Sequence, residues 1–270
     1  MGKGVRVTER LEKNKIRVEE LEIKGEDGKR IRGQLYLPEK AGGKLPLVIF
    51  CHGLGSCFRE LLHHGEGFAR AGICCLLFDF CGGGPASLSD GAMEEMTLRS
   101  ECEDLKAVIS WAGNLDYVDP GQIFLQGESM GGLVSALVAA EISEVVRALV
   151  LWYPAFGIPE GAARRLRTGE REFFEISLGE AFDLEAQGLD VYGTIPAYRG
   201  SVLMIHGKKD YIVPPGFSRR ALSAYREARL IVLPGAGHGF DGADSSAARE
   251  YSISFIRQQG AVSEKDEWGR

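Results

Sequence analysis

The sequence predicts an α/β fold built on a mostly parallel central sheet with helices on both faces. Three observations carry that prediction. A chain of 270 residues, 44% of them hydrophobic, can bury one substantial core. Short, continuously apolar runs recur along it, as strands covered on both faces require. Between these runs lie stretches with helical spacing, and strands alternating with helices imply right-handed crossovers within one parallel sheet.

The elements follow in order. Residues 15–24 and 29–37 alternate apolar and polar side chains around a Gly25-Glu26-Asp27-Gly28 turn, so they read as an antiparallel hairpin. Residues 38–46 form a loop. Leu47-Val48-Ile49-Phe50-Cys51 is the first fully buried strand, with a helix at 59–71 and a second buried strand at 73–80 after it. Residues 96–112 set Leu98, Cys102, Leu105, Val108 and Ile109 on one helical face. A strand at 123–126, a small-residue helix at 130–141 and a strand at 148–153 come next. Strands at 202–206 and 230–233 each precede a helix, the last of them at 245–258. Residues 155–199 break this alternation, being long, charged and dotted with Phe173, Phe174, Phe182 and Tyr192. A connection of that length inside a compact domain marks a functional insertion, here expected as a lid over an active site. The organisation expected is a single domain over residues 1–270 with the lid at about 155–199.

Composition narrows the function. A formal charge of −6 and a pI near 5.5 argue against a nucleic acid partner. No run approaches the length of a membrane span, and Lys3, Arg6, Glu9, Arg10, Glu12 and Lys13 leave no apolar stretch for a secretory signal. The expected location is cytoplasmic, with neither membrane nor nucleic acid as partner. The six cysteines form no C-x-x-C pair and no zinc-ligand spacing, so they are expected to be reduced and structural. The Gly82-Gly83-Gly84 run belongs to no nucleotide-binding motif, and His63-x-x-Glu66 has no companion ligands, so neither metal nor cofactor is expected.

The chemistry concentrates at Gly127-Glu128-Ser129-Met130-Gly131, a G-x-S-x-G match. In a chain with 36 glycines, chance alone yields roughly 0.3 such matches, so context must supply the strength. The motif sits between an apolar strand and a helix, where a serine on a sharp turn becomes a nucleophile and flanking bulk would clash. A serine hydroxyl needs a base to take its proton. Of five histidines, His238 lies in the glycine-rich loop Gly235-Ala236-Gly237-His238-Gly239-Phe240 after the last strand, where it reaches the carboxyl edge of the sheet. His206 is inside an apolar strand. Asp210 follows that strand and is the carboxylate expected to orient the base, in the chain order Ser, Asp, His. The backbone amides of Met130 and Leu54 are the expected oxyanion donors, Leu54 lying in the small-residue loop His52-Gly53-Leu54-Gly55. His52 is expected to hold that loop by hydrogen bonding. Phe156, at the start of the insertion, is the candidate substrate-pocket residue.

With Cys51-His52-Gly53-Leu54-Gly55, Asp79-Phe80-Cys81-Gly82-Gly83, Gly127 to Gly131, the His206 to Pro214 segment and Gly237-His238-Gly239-Phe240 in place, the chain resembles α/β-hydrolases. It is most similar to the small cytoplasmic feruloyl (cinnamoyl) esterases and related carboxylesterases. The resemblance runs over about 19–258, and in that family an insertion after the sixth core strand caps a cleft for an aromatic acyl group. It implies an α/β-hydrolase fold and a serine carboxylesterase acting on a small-molecule ester, feruloyl or other hydroxycinnamoyl esters included. The alternatives are a general short-chain carboxylesterase, a peptidase-like amide hydrolase, or a binding module that has kept the fold without the chemistry.

Overall fold

The computed structural model describes residues 5–11, 16–38, 43–170, 172–173 and 176–266. The first and last of the residues expected in the N-terminal and linker readings (1–4, 12–15 and 39–42), together with Phe174, lie outside them.

Among the described residues eleven strands and eight α-helices succeed one another: β1 Val5–Leu11, β2 Ile16–Lys24, β3 Arg30–Pro38, β4 Leu45–Cys51, α1 Leu62–Arg70, β5 Cys74–Phe78, α2 Leu98–Gly113, β6 Val118–Glu128, α3 Ser129–Glu141 and β7 Val146–Trp152. Then come α4 Ile158–Thr168, β8 Glu172–Phe173, β9 Ile176–Ser177, α5 Glu180–Ala186, α6 Val191–Thr194, β10 Ser201–Gly207, α7 Gly216–Ala224, β11 Ala228–Leu233 and α8 Gly242–Asp266. Nine strands form one sheet in the order β1-β2-β3-β5-β4-β6-β7-β10-β11, while β8 and β9 make a separate small hairpin. Within the large sheet β5, β4, β6, β7, β10 and β11 run parallel, while β1, β2 and β3 pair antiparallel at one edge, β3 also with β5.

The core divides as a sheet covered on two faces must. Leu47, Ile49, Leu76, Leu125 and Leu149 pack against α2 and α3, while Val48, Phe50, Leu77, Phe124 and Val150 pack against α1 and α8. The hairpin expected over 15–24 and 29–37 is present as β2 and β3, paired from Ile16 opposite Pro38 to Lys24 opposite Arg30. Strand β1 was not expected, because its charged residues hide a period-2 Val5, Val7 pattern that a register shift between Val7 and Glu9 interrupts. Helix α2 starts where its chemistry says it should. Thr97 Oγ1 accepts from the Ser100 amide at 3.2 Å and Ser100 Oγ accepts from the Thr97 amide at 2.9 Å.

Chain reversal sets the site. From β4 the chain moves outward to β5 and then crosses back to β6 on the other flank of β4. The carboxyl ends of β4 and β6 therefore border the crevice where an open α/β sheet places its ligands.

Residues 155–199 connect β7 to β10 and hold α4, the β8–β9 hairpin, α5 and α6. Arg165 of α4 and Asp183 of α5 form a bidentate pair, Nε to Oδ1 at 3.0 Å and Nη2 to Oδ1 at 2.7 Å, with side chains only 7% and 1% exposed. Asp183→Ala, which withdraws that carboxylate from a buried guanidinium, is expected to cost about 3–5 kcal/mol. Replacing both residues with apolar side chains of similar volume is expected to be near neutral by comparison. Thermal unfolding of the single and double variants checks this, and a double variant no more stable than the single would contradict it.

Candidate active site

The turn from β6 into α3 happens in one residue. Glu128 is still extended at φ −108° and ψ 143°, and Ser129 enters the helix with φ +49°, in the left-handed region that a residue with a Cβ avoids. The glycines around it are there for contact. A Cβ on Gly127 would run into the backbone of Gly131, and one on Gly131 would run into the carbonyls of Cys51 and His52. The elbow is thus pressed against the loop that follows β4. Gly53 lies directly beneath Ser129, where a Cβ would sit 3.2 Å from the Ser129 Cβ.

Three of the residues singled out from sequence meet here. His238 Nε2 is 3.0 Å from Ser129 Oγ, and His238 Nδ1 is 2.8 Å from Asp210 Oδ2. The ring nitrogen facing a carboxylate carries the proton, which leaves Nε2 as an acceptor for the serine hydroxyl. Asp210 is buried, and its second oxygen accepts the amides of Ile212 at 3.0 Å and Val213 at 2.8 Å. Burial acts to raise its pKa, but hydrogen bonds from His206, His238 and the Val213 amide outweigh it and hold the carboxyl well below the usual range.

The β4 loop is fixed from two sides. His52 Nδ1–H donates to the Gly53 carbonyl at 2.8 Å, while its Nε2 accepts the Phe80 amide at 3.1 Å. That pattern requires a neutral ring, and burial pushes the His52 pKa down accordingly. On the other side the Gly55 amide donates to the Gly83 carbonyl at 2.9 Å, and a Cβ on Gly84 would clash with Gly55 and Ser56. This backbone-to-backbone approach explains Gly84, the last glycine of the run after β5. Within the loop Leu54 is partly buried. Met130, buried, stands in the first turn of α3, where amides lack intrahelical acceptors.

A second hydrogen-bonded pair flanks the serine. Tyr153, at φ +35° just past β7, donates its hydroxyl to Glu128 Oε2 at 2.8 Å. Its ring stands edge-on to His238 at 4.8 Å between centroids and to Phe240 at 4.6 Å. Burial raises the Glu128 pKa, with the Tyr153 hydroxyl opposing, and burial together with the Glu128 charge raises that of Tyr153. Sequence reasoning passed over both residues. The one available signal was an acidic side chain in the variable position of G-x-S-x-G, next to an apolar strand.

The insertion begins at the site: the Ala155 amide donates to the Ser129 carbonyl at 2.8 Å. Its hairpin comes back over the β4 loop, where Ile176 packs so close to Gly55 (φ +74°) that a Cβ there would collide with it. Phe156 is fully buried, with its ring toward Tyr192 at 6.2 Å, so it forms part of the packed base of the insertion rather than an open pocket wall. Tyr192 is itself held from α7, its ring under the Arg220 guanidinium at 3.8 Å and its hydroxyl donating to the Phe217 carbonyl at 3.2 Å. Among the described residues no helix is long and apolar enough to cross a membrane.

Comparison with known proteins agrees with this architecture. Residues 44–178 match the family model described as serine aminopeptidase, S33, and residues 193–267 match one described as TAP-like protein. An uncharacterized protein of Mycobacterium tuberculosis is 30% identical over 220 residues, which are 80% of this chain and 70% of that protein. Among solved structures, Est1E from Butyrivibrio proteoclasticus with ferulic acid bound superimposes with a TM-score of 0.79 at 29% identity, covering 89% of this chain and 99% of that one. Acetyl xylan esterase 1 from Thermoanaerobacterium shares the fold at a TM-score of 0.72 and 20% identity, covering 93% of this chain and 86% of its own. The elbow, the sheet order and these matches together make the chain a member of the α/β-hydrolases, in the family described as serine aminopeptidase, S33.

Proposed function

We propose that this chain hydrolyses carboxylic esters through an acyl-enzyme on Ser129. The observation that supports this reading is the unbroken hydrogen-bonded path from Ser129 Oγ through His238 to Asp210 at the carboxyl edge of the sheet. His238 takes the hydroxyl proton as Ser129 attacks the ester carbonyl. Asp210 stabilises the imidazolium that forms, and the amides of Met130 and Leu54 receive the oxyanion. His238 then gives its proton to the departing alcohol, and water repeats the sequence to free the acid. The insertion acts as a lid, with Ile176 over the oxyanion loop excluding water from the acyl group.

For the acyl group we propose a hydroxycinnamoyl ester. The support is the likeness to Est1E, whose structure contains ferulic acid. Methyl ferulate and p-nitrophenyl butyrate, assayed side by side with Ser129→Ala as the blank, test both levels of the proposal. Turnover of ferulate above that of butyrate is the expected result. Turnover of butyrate alone would leave a general carboxylesterase. The family's aminopeptidase description makes amide cleavage the second reading, and matched esters and anilides separate it: faster anilide cleavage would replace the ester assignment.

A further inference from the structure

The side chain that holds the triad carboxylate is itself held by a second histidine. His206 lies on β10, fully buried, four residues before Asp210. Its Nε2 is 2.8 Å from the Val213 carbonyl and 3.2 Å from Asp210 Oδ2, and its Nδ1 is 2.8 Å from Ser218 Oγ on α7. Both partners of Nε2 are acceptors only, so Nε2 carries the proton. Nδ1 then accepts the Ser218 hydroxyl, and the neutral ring satisfies every contact. Asp210 Oδ2 is also the oxygen that accepts from His238 Nδ1 at 2.8 Å. One carboxylate oxygen therefore lies between two imidazoles, while the other is taken by the Ile212 and Val213 amides.

We propose that His206 is a positioning residue for the reaction: it ties Asp210, which belongs to a loop, to the rigid interior of the sheet, and so sets the line from Asp210 through His238 to Ser129. This rests on the reading of Ser129, His238 and Asp210 as the triad. The geometry explains why a polar side chain stands in an otherwise apolar strand. Val202 to Ile205 need only fill space, whereas position 206 must deliver a donor to the loop and accept one from α7. With the donor gone, Oδ2 keeps only its bond to His238, and the Val213 carbonyl loses its buried partner. The carboxylate then keeps only the amides of its own loop and His238, so nothing ties it to the sheet interior, and a mis-set imidazole costs rate rather than binding.

The test compares His206→Leu, which removes both hydrogen-bonding atoms, with His206→Gln, whose amide can still donate toward Val213 and Asp210. Each is assayed for kcat and KM on an ester, for labelling by a fluorophosphonate, and for the downfield proton resonance of His238 Nδ1–H. Expected for His206→Leu is a fall in kcat of about tenfold to a hundredfold, the weight of a hydrogen bond to a charged group, with KM unchanged and the resonance displaced. His206→Gln is expected to recover kcat to within about threefold of wild type and to restore the resonance. A folded His206→Leu protein with kcat within about twofold of wild type and an unmoved resonance would overturn the proposal. Should that variant fail to fold, Ser218→Ala decides, because it removes the anchor on Nδ1 that fixes the ring from α7 and leaves the imidazole free to tilt away from Asp210. A shifted His238 resonance supports the proposal, and an identical one rejects it. Absence of fluorophosphonate labelling in the wild-type protein would instead bring down the esterase reading, while the resonance comparison would still decide whether His206 holds the Asp210–His238 pair.

Discussion

Ser129→Ala is expected to lower ester turnover by about 10⁵- to 10⁶-fold while leaving the fold unchanged. The size follows from the roles assigned: without Oγ there is no covalent intermediate, and His238 has nothing at 3.0 Å from which to take a proton. What remains is the oxyanion loop and binding, which together are worth about 10³–10⁴ over water when water itself attacks. Stability should hardly move. Alanine carries the same Cβ into φ +49°, so the backbone cost is not relieved, and the lost contact is a hydrogen bond in a half-buried site. Such a neutral bond is worth about 1 kcal/mol net. Steady-state rates, fluorophosphonate labelling and a thermal melt check the three statements. Labelling that survives the substitution would locate the nucleophile elsewhere.

The difference between what could and could not be read from sequence lies in the range of the interactions. Strands β4, β5, β6, β7, β10 and β11 announce themselves because each is a short apolar run, and a run is local information. The elbow is legible for the same reason: two glycines, a serine, a strand before and a helix after are all within a few residues. Asp210 and His238 followed from placing loops at one edge of a parallel sheet, which is topology inferred from alternation. The hairpin β8–β9 left no trace, since two residues per strand cannot set a period. His206 was readable as a strand residue but not as a partner of Asp210, because its other contacts, Val213 and Ser218, come together only when the loop and α7 fold back. Tyr153 and Glu128 are 25 residues apart and meet only because β6 and β7 are neighbours. The Gly82–Gly84 run shows the reverse case. Its composition was plain, yet its neighbours belong to other segments: Gly82 lies against the Ala92 backbone, Gly83 against His52, and Gly84 against the backbone of Gly55 and Ser56.

Asp210→Asn is the substitution with the next largest expected effect, about 10⁴-fold in kcat with Ser129 and His238 still present. The carboxylate accepts four hydrogen bonds, from His238, His206 and the amides of Ile212 and Val213. An asparagine can accept the two amides with its oxygen, but then its NH₂ faces both imidazoles. His206 cannot turn its proton away without losing the Val213 carbonyl, so the clash falls on His238, whose Nδ1 must become an acceptor. The proton moves to Nε2, the nitrogen facing Ser129 Oγ, and the base is blocked in the wrong tautomer. Stability should carry a pH signature as well. Asp210 titrates below the ordinary carboxylate value of 3.8 in the fold, so its favourable contribution is present above that value and is lost as pH falls through the lower, folded one. Wild type should therefore exceed Asp210→Asn in unfolding free energy at neutral pH, and the gap should narrow as the solution is acidified below about pH 4. Denaturant melts of both proteins at neutral and acid pH measure that gap. A difference that stays constant across the range would mean that the hydrogen-bonded carboxylate is not what stabilises this loop, and that the loss of rate in the variant has another origin.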